Sequence, residues 1–325
     1  MKMKRILAVG VIFLFVGVTI APTIAQNTEK SQSSSGTWLY VGGNGPGNYS
    51  RIQDAIDNAS DGDTVFVYEG LYNEGDIKIN KAINVRGENK EKTIVDGTGY
   101  WRVFYLTQNQ GPIEISEFTI QNAKEHNKYG TGFDVISENN IIHDNIIRNN
   151  DWYGLYISSN TTVYQNIIYN NTYGVAVTSA NNIIRDNVIF DNENGIYTID
   201  AIFNRITGNS IKNNDIGIYS LGSLANFIYG NEITQNTKGI SLAVCGFTLV
   251  TRNNIYKNTR NADFYCFIPN MNLWMRNYWG LLLLPIKIII GIGAISVHNP
   301  FDTDLPWFQF DILPRRIPYL ILQDR

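Results

Sequence analysis

Three kinds of side chain in this sequence are spaced so that they could do chemistry: carboxylates, thiol and imidazole groups, and aromatic rings. Asp144 and Asp186 each stand immediately before an asparagine in two copies of one phrase, "DNIIRNN" and "DNVIFDN", with Gln165 in the copy between them. A carboxylate pair on a rigid frame is the machinery of a glycosidase, and carboxylate oxygens are the ligands of calcium. If successive copies stack as paired strands, these two backbones lie roughly 10 Å apart, too far to share one calcium and at the limit for an inverting hydrolase. An aspartate facing solvent at a strand end fits the same spacing, so Asp144 and Asp186 are weak catalytic candidates. His126, His143 and His298 are not at ligand spacing with one another, with the four methionines or with the two cysteines, so no metal site and no cofactor is expected. Cys245 and Cys266 lie 21 residues apart, and stacked neighbours at that spacing can form a disulfide or remain two buried thiols.

The aromatic residues are more informative. A column formed by Asp134, Tyr156, Ala176, Tyr197, Tyr219 and Ser241 falls two residues after a recurring glycine, and Trp152, Tyr153 and Tyr173 fall just before it. Flat rings with a polar edge can cover the apolar face of a sugar while its hydroxyls stay wet. The ligand-binding candidates are therefore Asp134, Trp152, Tyr153, Tyr156, Tyr173, Tyr197 and Tyr219. The competing reading is that tyrosine simply suits the solvent face of a strand. Residues Asn122 to Gly132 depart from the repeat and would form a lip beside that surface.

These columns require a frame, and the frame is a repeat. The first asparagines of successive phrases are Asn145, Asn166, Asn187, Asn209, Asn231 and Asn253, at intervals of 21 or 22 residues. Two residues on there is always isoleucine, from Ile147 to Ile255, and three residues back there is always a β-branched residue, from Ile142 to Val250. A second asparagine column runs Asn150, Asn171, Asn192, Asn214, Asn236 and Asn258. Glycine follows at 154, 174, 195, 217 and 239, and Ala262 breaks the run.

Short β-branched runs ended by Asn and Gly read as about three strands and three tight corners per repeat. Stacked on copies of itself, such a turn is a single-stranded, right-handed parallel β-helix of three sheets, an all-β solenoid whose core is one-dimensional. The residues after the glycines (Leu155, Val175, Ile196, Ile218, Ile240) supply the third inward column. Both asparagine columns are assigned to the structural ladder: Asn tolerates the left-handed geometry of a corner, and stacked amides bond from turn to turn. A leucine framework, a blade-length period and a six-residue subperiod are all missing, which excludes leucine-rich repeats, propellers and hexapeptide helices.

An apolar run from Ile6 to about Val18 behind "MKMKR", with Ala25 before Gln26, has the form of a signal peptide over residues 1–25. Residues 26–37 form a polar lead-in expected to be disordered, 38–280 the β-helix, and 281–325 a closing segment. At the front, Asn48 to Asp63 reads as a capping helix, with Ser50 and Gln53 as its capping box and Gly62 as its stop. Leu281 to Val297 is apolar, but Pro285, Lys287, Gly291 and Gly293 interrupt it, so closing strands are favoured over a membrane helix. Membrane contact would come only through an uncleaved signal or this 281–297 segment. The formal net charge of −3 leaves no basic footprint for nucleic acid.

The opening "VGGNGPGNYSRIQDAIDNASDGDTVFVYEGLYNE", the "N-x-I-x-x-N-x-x-G-I" repeats and the "NYWG" at Asn277 to Gly280 resemble NosD-like right-handed parallel β-helix proteins. The resemblance covers roughly Trp38 to Gly280. It implies an exported location, in the periplasm or at the cell surface, and a copper-related accessory role. Fold-mates in the wider pectate-lyase-like superfamily include lyases, epimerases, hydrolases and non-catalytic surface proteins, so it leaves activity open. The "NTD", "DD" and "GHG" elements of polygalacturonases and the "DPH" of alginate epimerases do not occur. The expectation is an exported, non-catalytic β-helix protein binding a polysaccharide or cell-envelope glycan, or stiffening the envelope. The alternative is a polysaccharide lyase, epimerase or hydrolase, with calcium if a lyase, acting in a groove around Asp134, Asp144, Trp152 and Asp186. Oligomeric state is left open.

Overall fold

The computed structural model describes residues 36–107, 111–124, 130–267, 272–280, 287–294, 304–315 and 318–319. The expected signal peptide and most of the lead-in lie outside them, as do His126, His298, Leu281–Ile286 and part of the 122–132 insertion.

Each β-branched triplet is a strand that pairs with its copy one turn on, always in parallel. Ile142, Val163, Ile184, Ile206, Ile228 and Val250 are register partners along the first sheet. Ile147, Ile168, Ile189, Ile211, Ile233 and Ile255 align on the second, which has nine strands. Leu155, Val175, Ile196, Ile218 and Ile240 align on the third. Every residue of the three columns is buried, at most 1% exposed, and each stabilises the coil by about 1.5–3 kcal/mol relative to an exposed side chain.

The corners are held by asparagine, but not as the sequence suggests. The left-handed residue is the one before each ladder asparagine: Asp144, Gln165, Asp186 and Arg252 have φ of 54°, 54°, 56° and 54°, and Gly208 and Gly230 fill the same column. The ladder asparagines instead point inward, buried, and bond along the stack. The backbone N–H of Asn166 donates to Asn187 Oδ1 at 3.0 Å, and Asn166 Nδ2 donates to the same oxygen at 3.1 Å. Asn187 then repeats both bonds to Asn209. Buried backbone groups must find partners, and at a corner, where strand pairing lapses, the amides supply them. This ladder extends past Asn253 to Asn277 and ends on the Asp311 carboxylate, which accepts from Asn277 N at 3.0 Å and from Trp279 Nε1 at 2.7 Å. Burial pushes the Asp311 carboxyl up. A third ladder, absent from the sequence reading, runs through Thr161, Asn182, Asn204 and Asn226 at the remaining corner.

The glycine column has a packing cause. A Cβ on Gly195 would lie 2.6 Å from the carbonyl oxygen of Gly217. Its last member is Asn261 rather than Ala262, because register pairs Ile240 with Ala262; Ala262 sits in the apolar column.

The front helix forms over Ile52–Asn58, shorter than expected, and buries Ile52, Ala55 and Ile56. Its expected capping box is not made. Arg51 is the N-cap with no side-chain bond, and the buried Glu74 carboxylate accepts from Ile52 N at 2.9 Å and Gln53 N at 3.4 Å. At the far end Lys287–Ala294 pairs parallel with the last full turn and antiparallel with Asp304–Ile312. This segment closes the coil as strands, and no helix among the described residues is long and apolar enough to cross a membrane.

Of the two outcomes left open for the cysteines, the structure has the thiol at Cys245. Cys245 is a free, buried thiol, donating to the carbonyls of Ser220 and Ala243 at 3.2 Å each. Register sets Ala243 beside Tyr265, so Cys266 falls opposite Val244 and Cys245 is one position out of step.

Candidate functional site

In the third sheet the pairing lapses at each glycine without a change of register: Gly154 is skipped, and Tyr153 and Tyr156 both lie partly exposed on either side of the buried Leu155. Two outward columns therefore run side by side up the coil. One reads Arg102, Thr131, Tyr153, Tyr173, Asn194, Ile216, Lys238, Arg260, the other Tyr105, Asp134, Tyr156, Ala176, Tyr197, Tyr219, Ser241, Asp263. From Arg102 to Arg260 is seven strand steps, or about 34 Å.

Along the middle of this surface the rings form a continuous strip. Trp152 lies 5.5 Å from Tyr173, and Tyr153 lies 5.2 Å from Tyr156 and 5.3 Å from Tyr173. Tyr173 is 5.1 Å from Tyr197, which is 5.4 Å from Tyr219. Tyr173 thereby spans the gap left by Ala176. All six rings are half-buried and are held against one another by these contacts. Burial, then neighbouring Tyr173, pushes the Tyr197 hydroxyl up to about 12, so at neutral pH it stays protonated.

Charged clusters close both ends. Arg102 bonds Asp76 through Nε and Asp134 through Nη1, at 2.8 Å each, and lies 3.4 Å over the Tyr105 ring. Burial raises the Asp134 carboxyl despite the Arg102 bond. At the other end Lys238 and Arg260 meet Asp263.

All seven ligand-binding candidates are thus brought onto one surface. The catalytic candidates are not. Asp144 and Asp186 occupy the corner between the first and second sheets, and each is engaged locally, Asp144 Oδ2 with His143 Nδ1 at 2.7 Å and Asp186 Oδ2 with Arg185 at 2.8 Å. The groove expected to join Asp134, Asp144, Trp152 and Asp186 is not formed, because a three-sided turn sends its corner residues away from the third sheet. Arg102, Tyr105, Lys238, Arg260 and Asp263 were missed, although carrying the two columns one and two turns beyond Tyr219 reaches the last three.

His143, which the sequence offers only as a histidine away from ligand spacing, is clamped between two carboxylates. Its Nε2 meets Glu114 at 3.0 Å, and its ring stacks on Tyr164 at 4.7 Å and 4°. Burial works to lower its pKa, but the bonds to Glu114 and Asp144 outweigh burial and raise it.

Stacked parallel turns and inward amide ladders define a parallel β-helix protein. The chain belongs to the NosD family: the family model described as "Periplasmic copper-binding protein (NosD)" matches residues 56–279. No curated protein matches. Among solved structures the chain is similar to XylC in complex with xylose (13% identity, 84% of this chain and 73% of that one, TM-score 0.54). It is similar to pectate lyase Pel9A (16%, 78% and 77%, TM-score 0.53). A third is the A-module of the Azotobacter vinelandii mannuronan C-5 epimerase AlgE6 (15%, 71% and 82%, TM-score 0.51). At these identities the likeness is one of fold.

The family description names copper, and the described residues do not fit it. No group of three or more His, Cys, Asp or Glu among them could hold a metal ion. His143, the one described histidine, has both ring nitrogens engaged by carboxylates, and the Cys245 thiol is buried against carbonyls.

Proposed function

We propose that this is an exported, non-catalytic member of the family that binds a glycan polymer along the aromatic strip of its third sheet. The carrying observation is the run of six rings, Trp152, Tyr153, Tyr156, Tyr173, Tyr197 and Tyr219, on a frame too rigid to collapse around them. Binding to a preset surface avoids the ordering cost that a flexible site would meet. The rings span three strand steps, about 14 Å, within a side face of about 34 Å, a length that suits a chain rather than a single sugar. Export is supported by the form of the first 25 residues and by the periplasmic description of the family. The named relatives of this fold that handle pectate, mannuronan or xylose lend the glycan reading further support.

Affinity electrophoresis through gels containing different polysaccharides tests it. The wild-type chain should be retarded by at least one polymer, and Tyr173→Ala with Tyr197→Ala should abolish the retardation at unchanged melting temperature. Retardation that survives the double substitution, or none with any polymer, refutes it.

A carbohydrate-active enzyme is the second reading, favoured by one observation: burial raises the Asp134 carboxyl at the end of the strip, the condition for a general acid. Release of shorter or unsaturated products, lost in Asp134→Asn, would establish it in place of the first reading.

A further inference from the structure

We infer that the strip runs into an anion-binding pocket, so that its ligand is a glycan bearing carboxylate or sulfate groups. This rests on the glycan reading above and adds the chemical class of the polymer.

One strand beyond Tyr219 the surface changes character. Register sets Lys238 beside Ile216 and Arg260 beside Lys238, with Ser241 and Asp263 following Tyr219 in the adjoining column. Lys238 Nζ and Arg260 Nη1 both lie 3.2 Å from the same atom, Oδ2 of Asp263. Two cations therefore share one carboxylate oxygen, which leaves one positive charge of the cluster unmatched. The Asp263 side chain is 13% exposed, whereas Lys238 is 39% and Arg260 65% exposed, so the carboxylate is fixed and the cations face outward. A cavity of about 290 Å³ opens there, lined by Lys238, Ser241, Arg260, Asp263, Tyr265 and Ile290 among others. A single water needs only about 10–15 Å³ on the same measure, so there is room for a charged substituent with its solvent. Guanidinium and ammonium donors beside a hydroxyl are the groups that hold carboxylate or sulfate oxygens.

The opposite end has the reverse balance, since Arg102 is held between two carboxylates, Asp76 and Asp134. A chain carrying regular negative charge is anchored at Lys238 and Arg260 and discouraged from running past Asp134. The strip thus has a direction as well as a width.

The test measures binding of the full chain to polygalacturonate (carboxylate), dextran sulfate (sulfate) and a neutral glucan. At low salt the wild type should prefer one or both anionic polymers, and the preference should fade as salt rises. Lys238→Gln with Arg260→Gln should weaken anionic binding about tenfold or more, the scale of a lost charge-assisted contact, and leave any neutral binding unchanged. Lys238→Arg should retain it, which guards against misfolding as the cause, and Asp134→Asn should strengthen it. Tyr173→Ala with Tyr197→Ala should weaken binding to every polymer bound. Equal binding of neutral and anionic polymers, or indifference to the Lys238 and Arg260 substitutions, overturns the pocket and leaves the strip. Loss through those substitutions with full binding by the tyrosine variant overturns the strip and keeps the pocket.

Discussion

Asn187→Ala removes one rung from the middle of the first ladder, and its cost follows from the bonds lost. Asn187 Oδ1 accepts two donors, the backbone N–H and the Nδ2 of Asn166, at 3.0 and 3.1 Å. Asn187 Nδ2 donates to the carbonyls of Val163 and Arg185, at 2.9 Å each. Alanine leaves a buried N–H with no acceptor, costing about 1–3 kcal/mol, and strips two carbonyls of a donor, so the sum is about 3–5 kcal/mol. Against a total stability of about 5–15 kcal/mol that is a large share. Asn187→Asp keeps the acceptor but sets a carboxylate oxygen against the Val163, Arg185 and Asn209 oxygens. Its folded pKa would therefore be raised, so stability is kept below the ordinary aspartate value of about 4 and lost as pH rises through the higher folded one. Denaturant melts of both variants, with Glu193→Ala as an exposed control, check this. Because solenoids unfold in parts, hydrogen exchange at Asn166 is the sharper readout. An Asn187→Ala melt indistinguishable from the control would refute the claim that the amides carry the corners.

Gly195→Ala would force a Cβ to within 2.6 Å of the Gly217 carbonyl, and the shift this demands should cost about 1–3 kcal/mol in thermal unfolding. Glu74→Ala takes both acceptors from the front helix and should lower stability by about 1 kcal/mol, with early fraying of Ile52–Asn58 seen by exchange. His143 has a raised pKa from its Glu114 and Asp144 partners. Its contribution is thus complete below the unfolded value of about 6.5 and lost as pH rises through the folded one. The melting difference between wild type and His143→Gln should shrink over that range, and a constant difference would show that the clamp does not depend on the proton.

The repeat period and the three inward columns were legible in the sequence because a parallel stack demands identical side chains at identical positions, from Ile147 to Ile255. The corner geometry was misplaced by one residue. Left-handed backbone tolerates Asp144, Gln165 and Arg252 as well as glycine, so that column has no uniform composition, whereas the buried amide next to it has. The end of the ladder was hidden because Asp311 lies 34 residues beyond Asn277, outside any repeat. The rings of the strip were legible as columns, but the charged clusters were not. Arg102 and Asp134 are separated by an irregular turn containing the 122–132 insertion, and only pairing register sets them together. Cys245 and Cys266 show the opposite failure: a 21-residue spacing suggested alignment, but a 22-residue turn shifts their register by one.

The central claim is that one side of the coil, the third sheet, holds the glycan. Hydroxyl-radical footprinting of tyrosines, with and without a retarding polysaccharide, tests it most directly. The account predicts protection of Tyr173, Tyr197 and Tyr219, with no change at Tyr164 and Tyr229 on the first sheet or Tyr169 on the second. Protection confined to those other sheets, or spread evenly over all three, would contradict it.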